Sequence, residues 1–317
     1  MKNKIINIVF ILLLVTGFYF ILRNIKLNSL LGTLKNVDYS TFIIASIIYL
    51  LSILLLNIRF YLLVKNITNL GFKGTSKINL ISLLSNFASP GKVGIPVKVV
   101  LLKKVASMEF SKSTPVVMVE QILDIFGLIL FSIIGILMSL KYINEILVIL
   151  LDVKVKSYAS VFLLFFILGL MVMVVIYLLF KKKLSILLKD TFLYLKLLMN
   201  NRRLVYTTIF ITLITYIITF IASFLFFKSF NLPITFSFVI FIMPISVLFG
   251  YLSPLPGGSG VREFIMVSLY GIIYSQFEVV FIVAIVTRFI YFINIIILYL
   301  IGEIINKKSE DKYGILQ

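Results

Sequence analysis

Long apolar runs separated by short polar segments dominate the chain. A helix needs ~20 apolar residues to cross the ~30 Å hydrocarbon layer of a bilayer. Six uninterrupted runs approach or exceed that length, at residues 5–22, 41–58, 115–140, 157–180, 204–227 and 279–302. The first follows two lysines, as a signal peptide would, but it is long for one and no small-residue cleavage site follows. The pattern therefore predicts six membrane-spanning helices, with the first one retained.

Two further apolar regions are interrupted by glycine and proline. Residues 78–88 are separated from residues 95–102 by a Ser-Pro-Gly break, and residues 236–252 are separated from residues 261–274 by a Gly-rich one. The pieces of the first region are too short to cross a bilayer alone. We expect two broken hairpins that enter and leave by the same face, with protein around their irregular backbone. If the hairpins spanned instead, the bundle would have eight crossing helices.

The two breaks divide the chain into similar halves. Pro90 and Pro256 lie about half a chain length apart, and each half reads as a span, an amphipathic linker, a span, a broken hairpin and a span. Three crossings per half is an odd number, so the second half must be inverted relative to the first. The expected fold is an all-α integral membrane protein with one domain, 1–317, built from half-repeats 1–150 and 151–317.

Charge and composition limit the function classes. The net charge is +18, but 61% of residues are hydrophobic and 13% are charged, against about 25% charged in soluble domains. We therefore assign the basic excess to cytoplasmic loops and anionic lipid, and we expect no nucleic-acid partner. Loops 59–77 and 181–203 are rich in Lys and Arg. This predicts a multi-pass protein of the cytoplasmic membrane with both termini in the cytoplasm.

Two residue types are missing from the sequence. The chain has no Cys and no His, which excludes disulfides, thiol nucleophiles, His general bases and the usual zinc ligands. We expect no metal site, no cofactor and no catalytic residue. The sequence also lacks a phosphate-binding G-x-x-x-x-G-K-[ST] loop. Transport would then be downhill, ion-coupled or dependent on a partner.

The two breaks are the candidate binding site. Glycine permits close approach of the backbone, and each break starts a short helix whose N-terminus attracts anions. Basic side chains flank both, which suggests a cradle for a phosphate. The alternative is a pair of kinks lined by snorkelling lysines. The substrate-binding candidates are Pro90, Gly91, Lys92, Gly94, Lys98, Pro256, Gly257, Gly258, Gly260, Arg262, Glu263 and Arg288.

Charged residues also occur inside the predicted spans, where charge is costly and usually has a partner or a cavity. Glu120 and Asp124 share one helix face, and Arg288 lies in the last span. One hypothesis pairs Arg288 with Asp124 or Glu120 across the interface between halves. The other places Arg288 on a lipid phosphate and leaves the carboxylates to bind a cationic group or protons. Glu263 is an internal partner or a proton site, and Arg59 is expected to be an interfacial anchor.

A family resemblance rests on the second break. The string Pro254-Leu255-Pro256-Gly257-Gly258-Ser259-Gly260-Val261-Arg262-Glu263, with Arg288 following, resembles the transmembrane region of lysylphosphatidylglycerol synthases. These belong to a large family of flippase-like membrane proteins. In the first half, Pro90-Gly91-Lys92-Val93-Gly94-Ile95 and Glu120-Gln121-Ile122-Leu123-Asp124 match the family pattern in part, with departures at Lys92, Ile95 and Gln121. The likeness covers nearly the whole chain.

The resemblance implies a membrane module that moves an aminoacylated phosphatidylglycerol, or another lipid-linked polar group, between leaflets. Two alternatives stay open: a phosphatidylglycerol lysyltransferase-type enzyme or its membrane subunit, and a non-transporting scaffold for lipid or glycan synthesis. In the full-length synthases a separate soluble domain transfers the aminoacyl group, and we expect none here because few residues follow Gly302. The expected partners are anionic or aminoacylated phospholipids, with self-association or a partner synthase left open.

Overall fold

The computed structural model describes residues 32, 35–88, 92–140, 189–198, 200–252, 258, 260–274 and 276–313. Over these residues the chain is helical and has no strand. Besides a helical stretch at 189–198, the helices are α1 (Tyr39–Lys65), α2 (Phe72–Ala88), α3 (Gly94–Ala106), α4 (Phe110–Met138), α5 (Arg202–Ser229), α6 (Phe236–Leu252), α7 (Val261–Tyr274) and α8 (Phe277–Tyr313).

Four of these helices are long and apolar enough to cross a membrane: α1, α4, α5 and the segment Phe277–Ile305 of α8. Large apolar side chains such as Ile43, Phe210 and Phe289 lie exposed on their outer faces, as expected where lipid replaces water. The chain is an all-α, multi-pass membrane protein. The spans predicted at 5–22 and 157–180, and the division between halves at residue 150, lie outside the described residues.

The start of α1 shows how the spans are anchored at their ends. The Asp38 carboxylate accepts hydrogen bonds from the backbone N–H groups of Ser40 and Thr41, which satisfies donors that have no partner within the helix. Hydrogen bonds from the Ser40 and Thr41 hydroxyls lower the pKa of Asp38 to about 2. The cap therefore stays ionised at neutral pH.

Both broken regions form the predicted helical hairpins, α2–α3 and α6–α7, and the two helices of each pair contact each other. The hairpins enter from opposite ends of the bundle. The first begins beyond the end of α1, whereas the second follows Ser229, whose carbonyl accepts a hydrogen bond from Asp38 N–H at the start of α1 (2.8 Å). Their tips meet, since the Lys92 ammonium lies over the Tyr251 ring. Hairpins that enter from opposite ends and touch at their tips are both re-entrant.

Helix directions confirm the inverted repeat. The counterparts α1 and α5 are antiparallel, because Asp38 meets Ser229 at one end and Arg59 meets Thr212 two-thirds of the way along α1. The other contacts are reciprocal: α4 packs on α6, the first helix of the second hairpin, and α8 packs on α2, the first helix of the first hairpin. Exchanging the halves therefore reproduces the contact pattern.

Candidate functional site

A cavity of about 240 Å³ lies where the two hairpin tips meet, and all eight helices contribute to its lining. The surrounding core is apolar and aromatic, with Phe226, Phe238 and Tyr270 in its largest cluster. The cavity wall is different in kind, because charged, amide and hydroxyl side chains line it. This is a polar niche inside a bundle whose outer faces are apolar.

The first tip is closed around Gly94. Its N–H donates to Asn86 Oδ1 (2.8 Å), and its carbonyl oxygen accepts a hydrogen bond from Ser82 Oγ (2.7 Å). A Cβ on Gly94 would overlap the backbone oxygen of Ser82. Glycine is therefore required here by a close approach between α2 and α3. Pro90 and Gly91, the other predicted members of this break, lie outside the described residues.

The second tip also depends on glycine, through its backbone angles. Gly258 and Gly260 have φ values of 72° and 82°, in the left-handed region that side chains disfavour. A Cβ on Gly258 would lie 2.6 Å from the Gly250 carbonyl oxygen. The Glu263 carboxylate accepts the Gly260 N–H (2.6 Å), in the manner of the returning half of a capping box. Pro256 and Gly257 lie outside the described residues.

Four charged side chains form a buried ionic cluster in the first half. Arg59 Nη1 lies 2.7 Å from Asp124 Oδ1, and Arg59 Nη2 lies 3.7 Å from Glu120 Oε1. Lys98 Nζ lies 2.7 Å from the other Glu120 oxygen. Arg59, Lys98 and Glu120 are 1%, 4% and 3% exposed. Two cations and two carboxylates thus neutralise each other inside the bundle.

Two asparagines extend this cluster. Lys98 Nζ also donates to Asn79 Oδ1 (2.6 Å), and Asn79 Nδ2 donates to Asn57 Oδ1 (2.7 Å). The Lys98 ammonium lies 4.3 Å from the centre of the Phe60 ring as well. These contacts fix Lys98 in one orientation, with its charge fully used by protein groups.

The second half contains a matching pair. Arg288 on α8 makes an ion pair with Glu263 on α7, and its guanidinium lies 5.5 Å from the centre of the Phe87 ring in the first hairpin. Glu263 thus caps α7 and binds the following span at once. In each half a charge on the second helix of the hairpin is bonded to the opposite charge on the next span.

The sequence profile described as "Lysylphosphatidylglycerol synthase TM region" matches residues 5–298. The chain belongs to this family. No curated protein matches the sequence. The match confirms the resemblance carried by the second break, and it supports a membrane protein that acts in lipid modification or transport.

Two expectations about charges in this family member were wrong. Arg59 is no interfacial anchor: it is buried and binds Asp124 and Glu120. The hypothesis that pairs Arg288 with Asp124 or Glu120 is also wrong, because Arg288 binds Glu263. The carboxylates of α4 find their cations within the first half instead.

The cavity collects the predicted basic residues Lys92, Lys98, Arg262 and Arg288 together with Glu120 and Asp124. Sequence reasoning missed four other residues that line the cavity, Asn79, Asn86, Tyr251 and Tyr291. It also missed Asn57, which accepts a hydrogen bond from Asn79. The asparagines gave a usable signal, since each interrupts an apolar stretch. The tyrosines gave none, because the chain has sixteen.

Proposed function

We propose that the protein is a flippase-like transporter that moves a phospholipid between the leaflets of the cytoplasmic membrane. The headgroup passes through the cavity while the acyl chains stay in the bilayer. One observation carries the proposal: two re-entrant hairpins meet at a charged cavity inside an otherwise apolar bundle. Inverted repeats with broken helices at corresponding positions are typical of transporters whose site lies at the repeat interface.

The size of the cavity supports a headgroup rather than a whole lipid. Its volume of about 240 Å³ lies below the roughly 300–1,000 Å³ of ordinary ligand pockets. An apolar groove of about 280 Å³ lies on α3 and α4 and is lined by Ile95, Pro96, Val99, Val100, Phe110 and Thr114. Ile95 lines both the groove and the cavity. An acyl chain in this groove would be connected to a headgroup in the cavity.

The distribution of ion pairs supports movement of one half against the other. In the described part of the chain, every buried ion pair lies within a half: Arg59 and Lys98 with the α4 carboxylates, and Arg288 with Glu263. The pair that joins the halves, Lys77 with Glu303, is exposed. Rocking therefore breaks no buried ion pair, which would be costly in a low-dielectric interior.

The charge bias of the loops supports a cytoplasmic location of both termini. It assigns the end of α3 to the cytoplasm and the end of α5 to the outside. Lys104 and Lys228 are exposed in the last turns of these helices. The sequence contains no native cysteine that would react with a labelling reagent. We expect a membrane-impermeant maleimide to label Lys228→Cys in intact cells and Lys104→Cys only after permeabilisation. The reverse labelling pattern would show that the chain has the opposite orientation in the membrane.

A leaflet-resolved assay tests the function. Purified protein is reconstituted into liposomes that contain phospholipids with a fluorescent acyl chain. A membrane-impermeant quencher then reports the fraction of labelled lipid that is in, or has moved to, the outer leaflet. We expect this fraction to rise faster than in protein-free liposomes. Lys92→Gln and Arg262→Gln should slow the rise, whereas Lys104→Gln, an exposed lysine outside the cavity, should not.

The same liposomes distinguish the alternatives. If no anionic, zwitterionic or aminoacylated lipid moves faster than in controls, the proposal is wrong. Mass spectrometry of lipid from cells that express the protein then separates a lipid-modifying enzyme, which yields covalently altered lipid, from a scaffold, which yields none.

A further inference from the structure

Five cationic side chains line the cavity: Arg59, Lys92, Lys98, Arg262 and Arg288. Three of them are neutralised by carboxylates, because Arg59 and Lys98 share Glu120 and Asp124, and Arg288 binds Glu263. Lys92 and Arg262 remain. Within the described residues no carboxylate lies within ion-pair distance of either. The cavity therefore contains two basic residues that have no carboxylate partner among the described residues.

The undescribed residues of the two breaks do not change this balance. Residues 89–91, 253–257 and 259 contain only Ser, Pro, Gly and Leu. The parts of the chain next to Lys92 and Arg262 in sequence thus supply no counter-charge.

A second observation comes from hydrogen-bond donors. Arg59 is 1% exposed, and its Nε and Nη2 atoms are buried without a hydrogen-bond acceptor among the described residues. The Nζ of Lys92 is also buried without one. Buried donors are nearly always satisfied in folded proteins, and both side chains line the cavity. An acceptor that carries negative charge would satisfy these donors and also neutralise the cations that bear them.

Both carboxylates that line the cavity, Glu120 and Asp124, are already engaged, and so is Glu263, which contacts the lining residue Arg288. Glu120 binds two cations, Asp124 binds Arg59, and Glu263 binds both Arg288 and the Gly260 N–H. An ammonium group entering the cavity would find no free carboxylate there, and it would be repelled by Lys92 and Arg262.

We infer that the cavity binds a phosphate group whose headgroup carries no amine, and that an aminoacylated headgroup is the poorer ligand. This inference rests on the proposed function and narrows it to anionic lipids. Lys92, Arg262 and the free donors of Arg59 surround the phosphate. Two basic residues without a carboxylate partner match a phosphate better than they match a headgroup whose ammonium groups offset its own phosphate.

Two measurements with four probes test the inference. In detergent, the rise in Tm on addition of phosphatidylglycerol, lysyl-phosphatidylglycerol, phosphatidylcholine or inorganic phosphate reports binding. In liposomes, the quencher assay reports movement of the three lipids. We expect phosphatidylglycerol to bind and move at least about tenfold better than lysyl-phosphatidylglycerol. Inorganic phosphate should raise Tm if the phosphate group alone suffices, and should have no effect if the site requires a lipid.

Charge variants provide the matched control. Lys92→Gln and Arg262→Gln should each reduce binding of phosphatidylglycerol, whereas Lys104→Gln should not. Lys92→Glu adds a carboxylate at the same place and should shift the preference towards lysyl-phosphatidylglycerol. If Lys92→Glu fails to fold, the two Gln variants still test the inference, because they remove the charge and keep a polar side chain.

The outcomes separate the inference from the function. If lysyl-phosphatidylglycerol moves as fast as phosphatidylglycerol or faster, the inference is wrong and the transport function stands. If no lipid moves but phosphatidylglycerol or phosphate selectively raises Tm, the transport function is wrong and the anion site stands. If no lipid moves and no probe raises Tm, both are wrong.

Discussion

Gly94 is the residue on which the geometry of the first hairpin tip depends. We predict that Gly94→Ala destabilises the protein, because the added methyl group overlaps the Ser82 carbonyl oxygen. Overpacking of this kind costs about 1–3 kcal/mol, which a thermal melt in detergent can measure. The control is Gly302→Ala on α8, where nothing lies within 4 Å of the added Cβ. An equal loss in both variants would contradict a specific close approach at Gly94.

Arg59 holds the buried cluster together. We predict that Arg59→Leu lowers the free energy of unfolding by about 3–5 kcal/mol, since it leaves the partly buried Asp124 without its cation and takes a second cation from the buried Glu120. The double variant Arg59→Leu/Asp124→Asn should recover part of this loss, because it removes the unpaired charge. Lys77→Ala breaks an exposed pair with Glu303 and should cost less than about 1 kcal/mol. Unfolding in denaturant measures all three, and no recovery in the double variant would contradict the pairing.

The roles of single residues could be predicted from the sequence only in part. Lys92 and Arg262 were assigned to the cavity because each lies at a glycine-rich break. The sequence pattern places Arg59 at a membrane interface because it is the first charge after an apolar run. Five apolar residues follow it, however, and α1 continues to Lys65. Whether a charge at that position is buried depends on carboxylates of α4, about sixty residues away. Local pattern contains no information about such a partner.

Among the elements, each hairpin makes an ion pair with the span that follows it, and the two pairs have opposite polarity. Lys98 on α3 binds Glu120 on α4, whereas Glu263 on α7 binds Arg288 on α8. Each hairpin is thus bonded to the span that follows it. The breaks themselves were predictable, because Gly and Pro interrupt an apolar run at two matched places. The reversal of sign between the two ion pairs was not predictable, because it depends on contacts between helices rather than on either helix alone.

The groove on α3 and α4 gives a prediction at the level of elements. Val100 lines it and is 40% exposed, so a larger side chain there is accommodated without disturbing the core. We expect Val100→Trp to slow lipid movement several-fold by filling the space for an acyl chain, with Tm unchanged. Ile133→Trp, on the outer face of α4 and 51% exposed, is the matched control and should have no effect. Equal rates in the quencher assay for both variants would exclude the groove as a path.

At the scale of the whole molecule, the fold follows from two features of the sequence: each half has an odd number of crossings, and the same order of apolar runs and breaks occurs twice. Six runs and two breaks predict an inverted repeat before any contact is known, and the antiparallel packing of α1 on α5 confirms it. What the sequence could not predict is which half each ion pair belongs to. That distribution bears on the proposed rocking, because an ion pair within one half is kept when the halves move against each other.

The proposed rocking of the halves leads to a prediction about crosslinking them. Asn231 Nδ2 donates to the Asn36 carbonyl oxygen (2.9 Å) at one end of the bundle, and Lys77 pairs with Glu303 (2.7 Å) at the other. Both contacts join the halves, and the chain has no native cysteine. We expect a short cleavable thiol crosslinker on Asn36→Cys/Asn231→Cys, or on Lys77→Cys/Glu303→Cys, to stop lipid movement in the quencher assay. Cleavage should restore it, and single-cysteine variants treated alike should be unaffected. Because either end must open in turn, both crosslinks have to be effective. Full activity with complete crosslinking at either end would show that lipid crosses without rocking, and the path would then lie along a fixed surface of the bundle.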